Sequence, residues 1–455
     1  MQKIFWILII LFSSTVAAQE SAIEVAQKKL NSESLTLEEA VSYALKHSPS
    51  LNIEKMKLEE ATLQIKESRL QQIPEIYISG NLRRNLIIPA TPVPAHIFDS
   101  SKPDKEMMYL QFNTNWNSSA GVNLNYDLFN PEKWNSVAQQ KQQLKIQEYD
   151  VQISEEKLRE DIALAYAECV IAEEQKLMMI KDTIYYASMF NVANQLYLKE
   201  KITLTEKNNI HRSYNESINS YLEAENIVKE RKAKLLYLLG KDVTPNNIAL
   251  LTLQEGIQDL LKKMEQSVFK TTILNNLEEI RQKEVVSLTD LRLKSTSMKY
   301  APTLSINGYY GSNYYYNDFS LFNNKYWRGN SFIGLSISLP VTQSFRTSNE
   351  VSRLRLQRQM DVEYLRDIQN SKEKEKINKF SLLEVRKKSY HLSRENWELS
   401  QQNSETSIVE FEKGYILQTD LLNEQLKMQQ TRQSFLQSAY DLFCILISLK
   451  ETKNM

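Results

Sequence analysis

Four histidines, two cysteines and two threonine-acid pairs are the residues of this chain best equipped for chemistry, and their placement excludes most of it. His47, His96, His211 and His391 lie far apart with no metal-ligand spacing. No Gly-x-Ser-x-Gly elbow or phosphate-binding loop accompanies them, so hydrolase and nucleotide chemistry have no seat. Cys169 and Cys444 sit among apolar neighbours in helical patterns. Two thiols in so long a chain make no disulfide framework; they read as buried small hydrophobes, with a single bridge between them left open. Thr205-Glu206 and Thr419-Asp420 fall where long helical patterns break. There Thr205 and Thr419 read as N-caps, with the acids placed favourably in a first helical turn. No catalytic residue, cofactor or metal is expected. Lys+Arg 56 against Asp+Glu 56 gives a net charge of zero, so nothing pulls the chain toward nucleic acid.

The elements that position these residues are mostly long helices. Only 9 Gly and 10 Pro occur in 455 residues, against average usage of ~7 % and ~5 %, which argues against turn-rich and phosphate-cradling folds. A mean hydropathy of -0.46 excludes a bundle of transmembrane helices but permits a β-barrel whose strands are half apolar. Lys3, the apolar run Ile4 to Phe12 and the small residues to Ala18 have the form of a signal peptide over 1–18. Thr36 and Glu39 spell a capping box, and Ser48-Pro49 starts a helix that runs to about Gln72. Strands are expected at about 75–83 and 119–128, from strict alternation such as Ile76, Ile78, Gly80, Leu82 against Tyr77, Ser79, Asn81, Arg83. The proline-rich stretch 84–118 between them reads as one long loop.

A seam of every seventh residue, Val137, Leu144, Val151, Leu158, Ala165, Ala172, Met179, Tyr186 and Ala193, then marks a coiled-coil-like helix. A return helix with Tyr214, Tyr221, Val228 and Leu235 ends at Gly240 as C-cap. This is a helical hairpin over about 132–240. The same order recurs: a helix ending before Pro302, strands at about 303–311 and 331–339, and a second hairpin over about 345–450 with the seam Leu421, Met428, Phe435, Leu442, Leu449. The chain therefore reads as a first repeat over 19–250 and a second over 251–455, mainly α with four strands. Four strands cannot close a barrel, since the smallest has eight, and lipid tolerates no open sheet edge, so two or three chains are required. Tyr126, Tyr309, Tyr310, Tyr314, Tyr315, Tyr316, Tyr326, Trp116, Trp327 and Phe112 cluster at strand ends and loops and suggest an interfacial aromatic girdle. The run Lys372-Glu373-Lys374-Glu375-Lys376 reads as a solvated helix face.

This pattern resembles the TolC family of outer-membrane efflux and secretion channels. The resemblance is carried by Leu35-Thr36-Leu37-Glu38-Glu39-Ala40 with Ser48-Pro49-Ser50-Leu51, Pro74 and Pro302 before the strands, Tyr126-Asp127-Leu128-Phe129, and Phe411-Glu412-Lys413-Gly414 with Thr419-Asp420-Leu421-Leu422. It implies a homotrimer whose 12-stranded β-barrel in the outer membrane continues into a periplasmic α-barrel. It also implies opening when a periplasmic adaptor and an inner-membrane pump dock at the helical tips. Glu206 and Asp420 match positions that form an acidic constriction in the family, with Thr205 beside Glu206 and Asn423 on the inner face of Asp420. Ile416 and Phe411 stand where the family's arginine and tyrosine links are expected, so those bonds are not available here. The rival from another class is a periplasmic coiled-coil scaffold without channel activity, which has no use for four alternating strands.

Overall fold

The structure, a computed structural model, describes residues 34–98, 100–103, 105–268, 276–413 and 415–449. The expected signal peptide and Gly414 lie outside these residues. Two compact units divide the chain: one gathers Tyr149–Ile280 and Asp367–Met455 with the N-terminal residues to Met56, the other Lys57–Glu148 and Arg281–Arg366.

The second unit contains a four-stranded sheet. Its strands are β2 (Glu75–Arg84), β5 (Trp116–Phe129), β7 (Thr303–Tyr316) and β8 (Trp327–Ser338), in the order β2-β5-β7-β8 with every pair antiparallel. Register decides its chemistry. Ile78 pairs with Val122 and Val122 with Tyr310, while Leu124 pairs with Ile76 and with Gly308, itself opposite Ile333. Side chains alternate along a strand, so Ile76, Ile78, Leu82, Val122, Leu124, Leu304, Ile306, Ile333, Leu335 and Ile337 all fall on one face. The other face carries Tyr77, Ser79, Asn81, Asn123, Asn125, Ser305, Asn307, Asn313, Asn330 and Ser336. The apolar face has no cover within the unit: Ile78 is 84 % and Ile333 78 % exposed.

The strands begin and end close to where alternation placed them, but β7 and β8 run on to Tyr316 and back to Trp327, into the stretch read as loop. Residues 84–118 are not a single loop either. They hold a small hairpin of β3 (Thr91–Pro94) and β4 (Met107–Leu110) in register Thr91↔Leu110. Pro92 and Pro94 hid it, because proline is tolerated only where no ladder donor is needed, as in a two-stranded edge. The aromatic girdle also needs correction. Tyr309 and Tyr315 lie on the polar face, and Tyr314 is fully buried beneath Trp327 and Tyr326, its hydroxyl donating to the Asp318 carbonyl at 2.8 Å. Tyr309 instead lies against Gly121, where a Cβ would stand 2.7 Å from its ring.

The rest of the described chain is mostly helical. β1 (Ser34–Leu35) leads through the Thr36–Glu39 capping box into α1 (Leu37–His47), and α2 (Pro49–Leu70) follows. The long helices are α3 (Pro131–Leu198), α4 (Leu204–Leu239), α8 (Gln343–Glu412) and α9 (Gln418–Leu449). At ~1.5 Å per residue α3 alone is about 100 Å long. Val151, Leu158, Ala165, Ala172, Tyr186 and Ala193 of its seam are buried, as are Leu421, Phe435, Leu442 and Leu449 of α9. Trp397 of α8 stacks on Phe435 at 4.9 Å, and Thr183 of α3 donates to the Ser217 carbonyl of α4. No described helix is long and apolar enough to cross a membrane.

Between the repeats lies structure that the sequence reading left blank: α5 (Pro245–Leu250), β6 (Thr252–Leu253) and α6 (Ile257–Val268), with α7 (Leu277–Ser297) beyond. β6 pairs in parallel with β1, and the Leu37 amide donates to Glu255, so the starts of the two repeats are tied together. Ile257, Leu260, Leu261 and Met264 are buried at i, i+3, i+4 and i+7, a helical signature present in the sequence.

Gly240 caps α4 as expected, with φ 74 and its N–H donating to the Leu236 and Tyr237 carbonyls. A Cβ there would stand 2.6 Å from the His47 carbonyl oxygen and 2.9 Å from Pro49 Cδ. Gly240→Ala is therefore expected to lower stability by more than about 1 kcal/mol, read as a lower thermal midpoint. Both cysteines are free. Burial pushes the Cys169 thiol up to about 12 and raises that of Cys444, so each packs as a small hydrophobe rather than reacting.

Candidate functional site

The two hairpin tips are built alike. At the first, Lys201 N–H donates to the Leu196 carbonyl at 2.9 Å, closing the end of α3 around Glu200, whose φ of 55 is left-handed. At the second, Tyr415 N–H donates to the Glu410 carbonyl at 2.9 Å in the equivalent place. The acids are equivalent too. Glu206 Oε2 accepts from the Thr203 amide at 2.7 Å and the Thr203 hydroxyl at 2.9 Å, while the Glu206 amide donates to Thr203 Oγ1. Asp420 Oδ2 accepts from the Leu417 amide at 3.3 Å.

These contacts correct the capping assignment. The N-cap of α4 is Thr203 and not Thr205, and α9 starts at Gln418, one residue before Thr419. The box is spelled Thr203-Leu204-Thr205-Glu206, a threonine three residues before a glutamate. Leu417 has no hydroxyl to complete a second box. Glu206 and Asp420 thus each reach back to their own helix start, Thr205 is exposed, and Asn423 is exposed one turn into α9. Hydrogen bonds from the Thr203 amide and then its hydroxyl hold the Glu206 carboxyl below its usual value. A depressed carboxylate contributes its stabilisation above the ordinary carboxylate range and loses it as pH falls through the lowered value, so the Glu206 cap is intact and charged at neutral pH.

Away from the tips, α3, α4 and α9 enclose a groove of about 830 Å³ whose walls include Glu216, Ser217, Ser220, Asn423, Gln433 and Tyr440. Its floor holds a buried ion pair that sequence reasoning missed. Arg432 of α9 donates from Nη2 to Asp182 Oδ2 at 2.6 Å and from Nη1 to Oδ1 at 3.2 Å, with side chains 8 % and 10 % exposed. Gln429 donates to the same carboxylate at 3.4 Å. The signal was readable: Asp182 interrupts the stripe between Met179 and Tyr186, and Arg432 the stripe between Met428 and Phe435, each a charge on an apolar seam. Further along, Glu168 of α3 accepts from Lys234 at 2.8 Å and Arg231 at 3.3 Å on α4, and from the Tyr440 hydroxyl at 3.1 Å on α9. The two helical hairpins are thus joined through charged contacts between α3 and α9. Among the described residues no group of histidine, cysteine and acidic side chains is arranged to hold a metal.

Residues 40–241 match the family model described as outer membrane efflux protein. No curated protein matches the sequence with statistical support. Among solved structures, the outer membrane protein VceC of Vibrio cholerae is similar at 15 % identity and a TM-score of 0.67, over 91 % of this chain and 95 % of that one. The open state of the MtrE outer membrane channel of Neisseria gonorrhoeae gives 13 % and 0.70, over 91 % and 88 %. A membrane protein from Pseudomonas aeruginosa gives 13 % and 0.70, over 91 % and 92 %. These likenesses carry the fold, and the family match spans the helix, strand and hairpin order of the first repeat. Over residues 40–241 the chain is similar to the outer membrane efflux protein family, and along most of its length it shares the fold of outer membrane channels.

Proposed function

We propose that this chain is the outer-membrane exit duct of a tripartite efflux or type I secretion assembly, a homotrimer that takes cargo from an inner-membrane pump and periplasmic adaptor. The observation that carries this reading is the sheet: four strands in register, one face with a broad exposed apolar band, the other mostly polar, with β2 and β8 as its edges. A face of that kind suits lipid on one side and water on the other. Two copies would supply eight strands, a barrel whose interior side chains fill. Three supply twelve and leave a water-filled bore for the polar face, which favours the trimer.

The scaffold alternative accounts for the long helices and leaves the apolar sheet face without a purpose. Cell fractionation separates the two: an exit duct sediments with the outer membrane, whereas a scaffold stays in the soluble periplasmic fraction.

Within this reading the hairpin tips form the gated periplasmic entrance, where three-fold symmetry would gather Glu206 and Asp420, with Thr205 and Asn423 beside them, into an acidic constriction. Planar-bilayer recording of Glu206→Ala with Asp420→Ala is expected to show weakened cation selectivity and divalent-ion block. Unchanged conductance, selectivity and block would remove the acidic constriction from the account.

A further inference from the structure

We propose that Arg83 and Arg328 form an anion-selective collar at the outer mouth of the duct, an inference that rests on the exit-duct reading above. The ionisable side chains on the polar face of the sheet are sorted by height. Glu75 and Asp127 stand at the end where the strands join helices α2 and α3, and Asp127 is bridged there to Lys133 at 2.8 Å. Arg83 and Arg328 stand at the opposite end, next to the loops. Arg83 is eight residues beyond Glu75 on β2, about 27 Å along a strand. Serines, asparagines, tyrosines, glycines and Phe332 fill the face between.

The two arginines occupy adjacent rows: Arg83 pairs with Asn117, which faces Tyr315, and Arg328 pairs with Asn313, which faces Ser119 and through it Asn81. Both are exposed. Among the described residues Arg328 donates only to the backbone carbonyls of Lys325 and Trp327, and no acidic side chain lies within ion-pair distance of either guanidinium. They also lie on β2 and β8, the edges that meet other copies when the sheet closes. Each of three seams therefore brings one Arg83 and one Arg328 to the same end of the bore, giving six guanidinium groups around the opening. Guanidinium presents paired N–H donors suited to phosphate and carboxylate oxygens, and rings of such cations favour anions in a pore. The collar would admit or transiently hold anionic solutes at the exit, opposite in sign to the acidic tips.

Arg84, the next residue, supplies an internal control. It falls on the apolar face, its guanidinium 5.6 Å from the Trp116 ring centroid, so its charge does not enter the bore.

The experiment is planar-bilayer recording of the full chain with inorganic tripolyphosphate added to the loop side. Wild type should be blocked from that side, and Arg83→Gln with Arg328→Gln should raise the half-blocking concentration by ~tenfold or more and move the reversal potential toward cation preference. Arg83→Lys with Arg328→Lys should keep the block within about threefold, and Arg84→Gln should leave it unchanged. Equal block in wild type and the glutamine pair, or a wild-type pore insensitive to tripolyphosphate, overturns the collar and leaves the duct standing. A wild-type protein that forms no pore overturns both.

Discussion

Arginine in place of Ile333 is expected to prevent accumulation of the assembled protein in the outer membrane. Ile333 sits near the middle of the apolar face, 78 % exposed, opposite Gly308 and in line with Leu124 and Ile76. A cation at the midplane of a membrane strand costs about 2–4 kcal/mol, and in the proposed trimer three copies would bear that cost together. Asn330→Arg, on the opposite face and beside Gly311, should be tolerated because its side chain projects into water. The measurement is the amount of protein in the outer-membrane fraction, with soluble or degraded chain expected for Ile333→Arg alone. Equal accumulation of the two variants would mean that the apolar face does not meet lipid.

The second large effect concerns the buried pair between α3 and α9. Arg432→Met leaves the Asp182 carboxylate, 10 % exposed, with Gln429 as its one remaining side-chain partner among the described residues. Stranding one member of a buried pair costs about 3–5 kcal/mol, whereas replacing both by apolar groups is often close to neutral. Arg432→Met and Asp182→Leu should therefore each lower the urea midpoint sharply, and the double variant should recover most of the loss. A double variant as unstable as the sum of the singles would show that the two residues do not act as a pair.

Much of this architecture was legible because periodicity is a physical signal. A seven-residue apolar seam buries only as a packed helix, so Val151 through Ala193 could be placed before any coordinates. Strict alternation from Ile76 to Arg83 likewise fixed which residues share a face, and the register then aligned those faces across four strands. The misses have equally physical causes. Prolines at 92 and 94 masked a hairpin that needs no donor at those positions. Thr205 lies next to Glu206 and drew attention from Thr203, although capping-box geometry demands a spacing of three. Asp182 and Arg432 were invisible as a pair because only tertiary packing brings α3 against α9. The acidic tips were found by resemblance, and their local role, each carboxylate bonded to its own N-cap amide, emerged only from the backbone geometry.

The closure of the sheet by other copies of the chain is the central claim, and its most direct measurement is the native mass of the full chain extracted from the outer membrane in mild detergent. Three copies per particle is the predicted result, giving twelve strands and a bore lined by the polar face. A monomer or a dimer would contradict it, since four strands leave two edges open in lipid and eight leave no room for water.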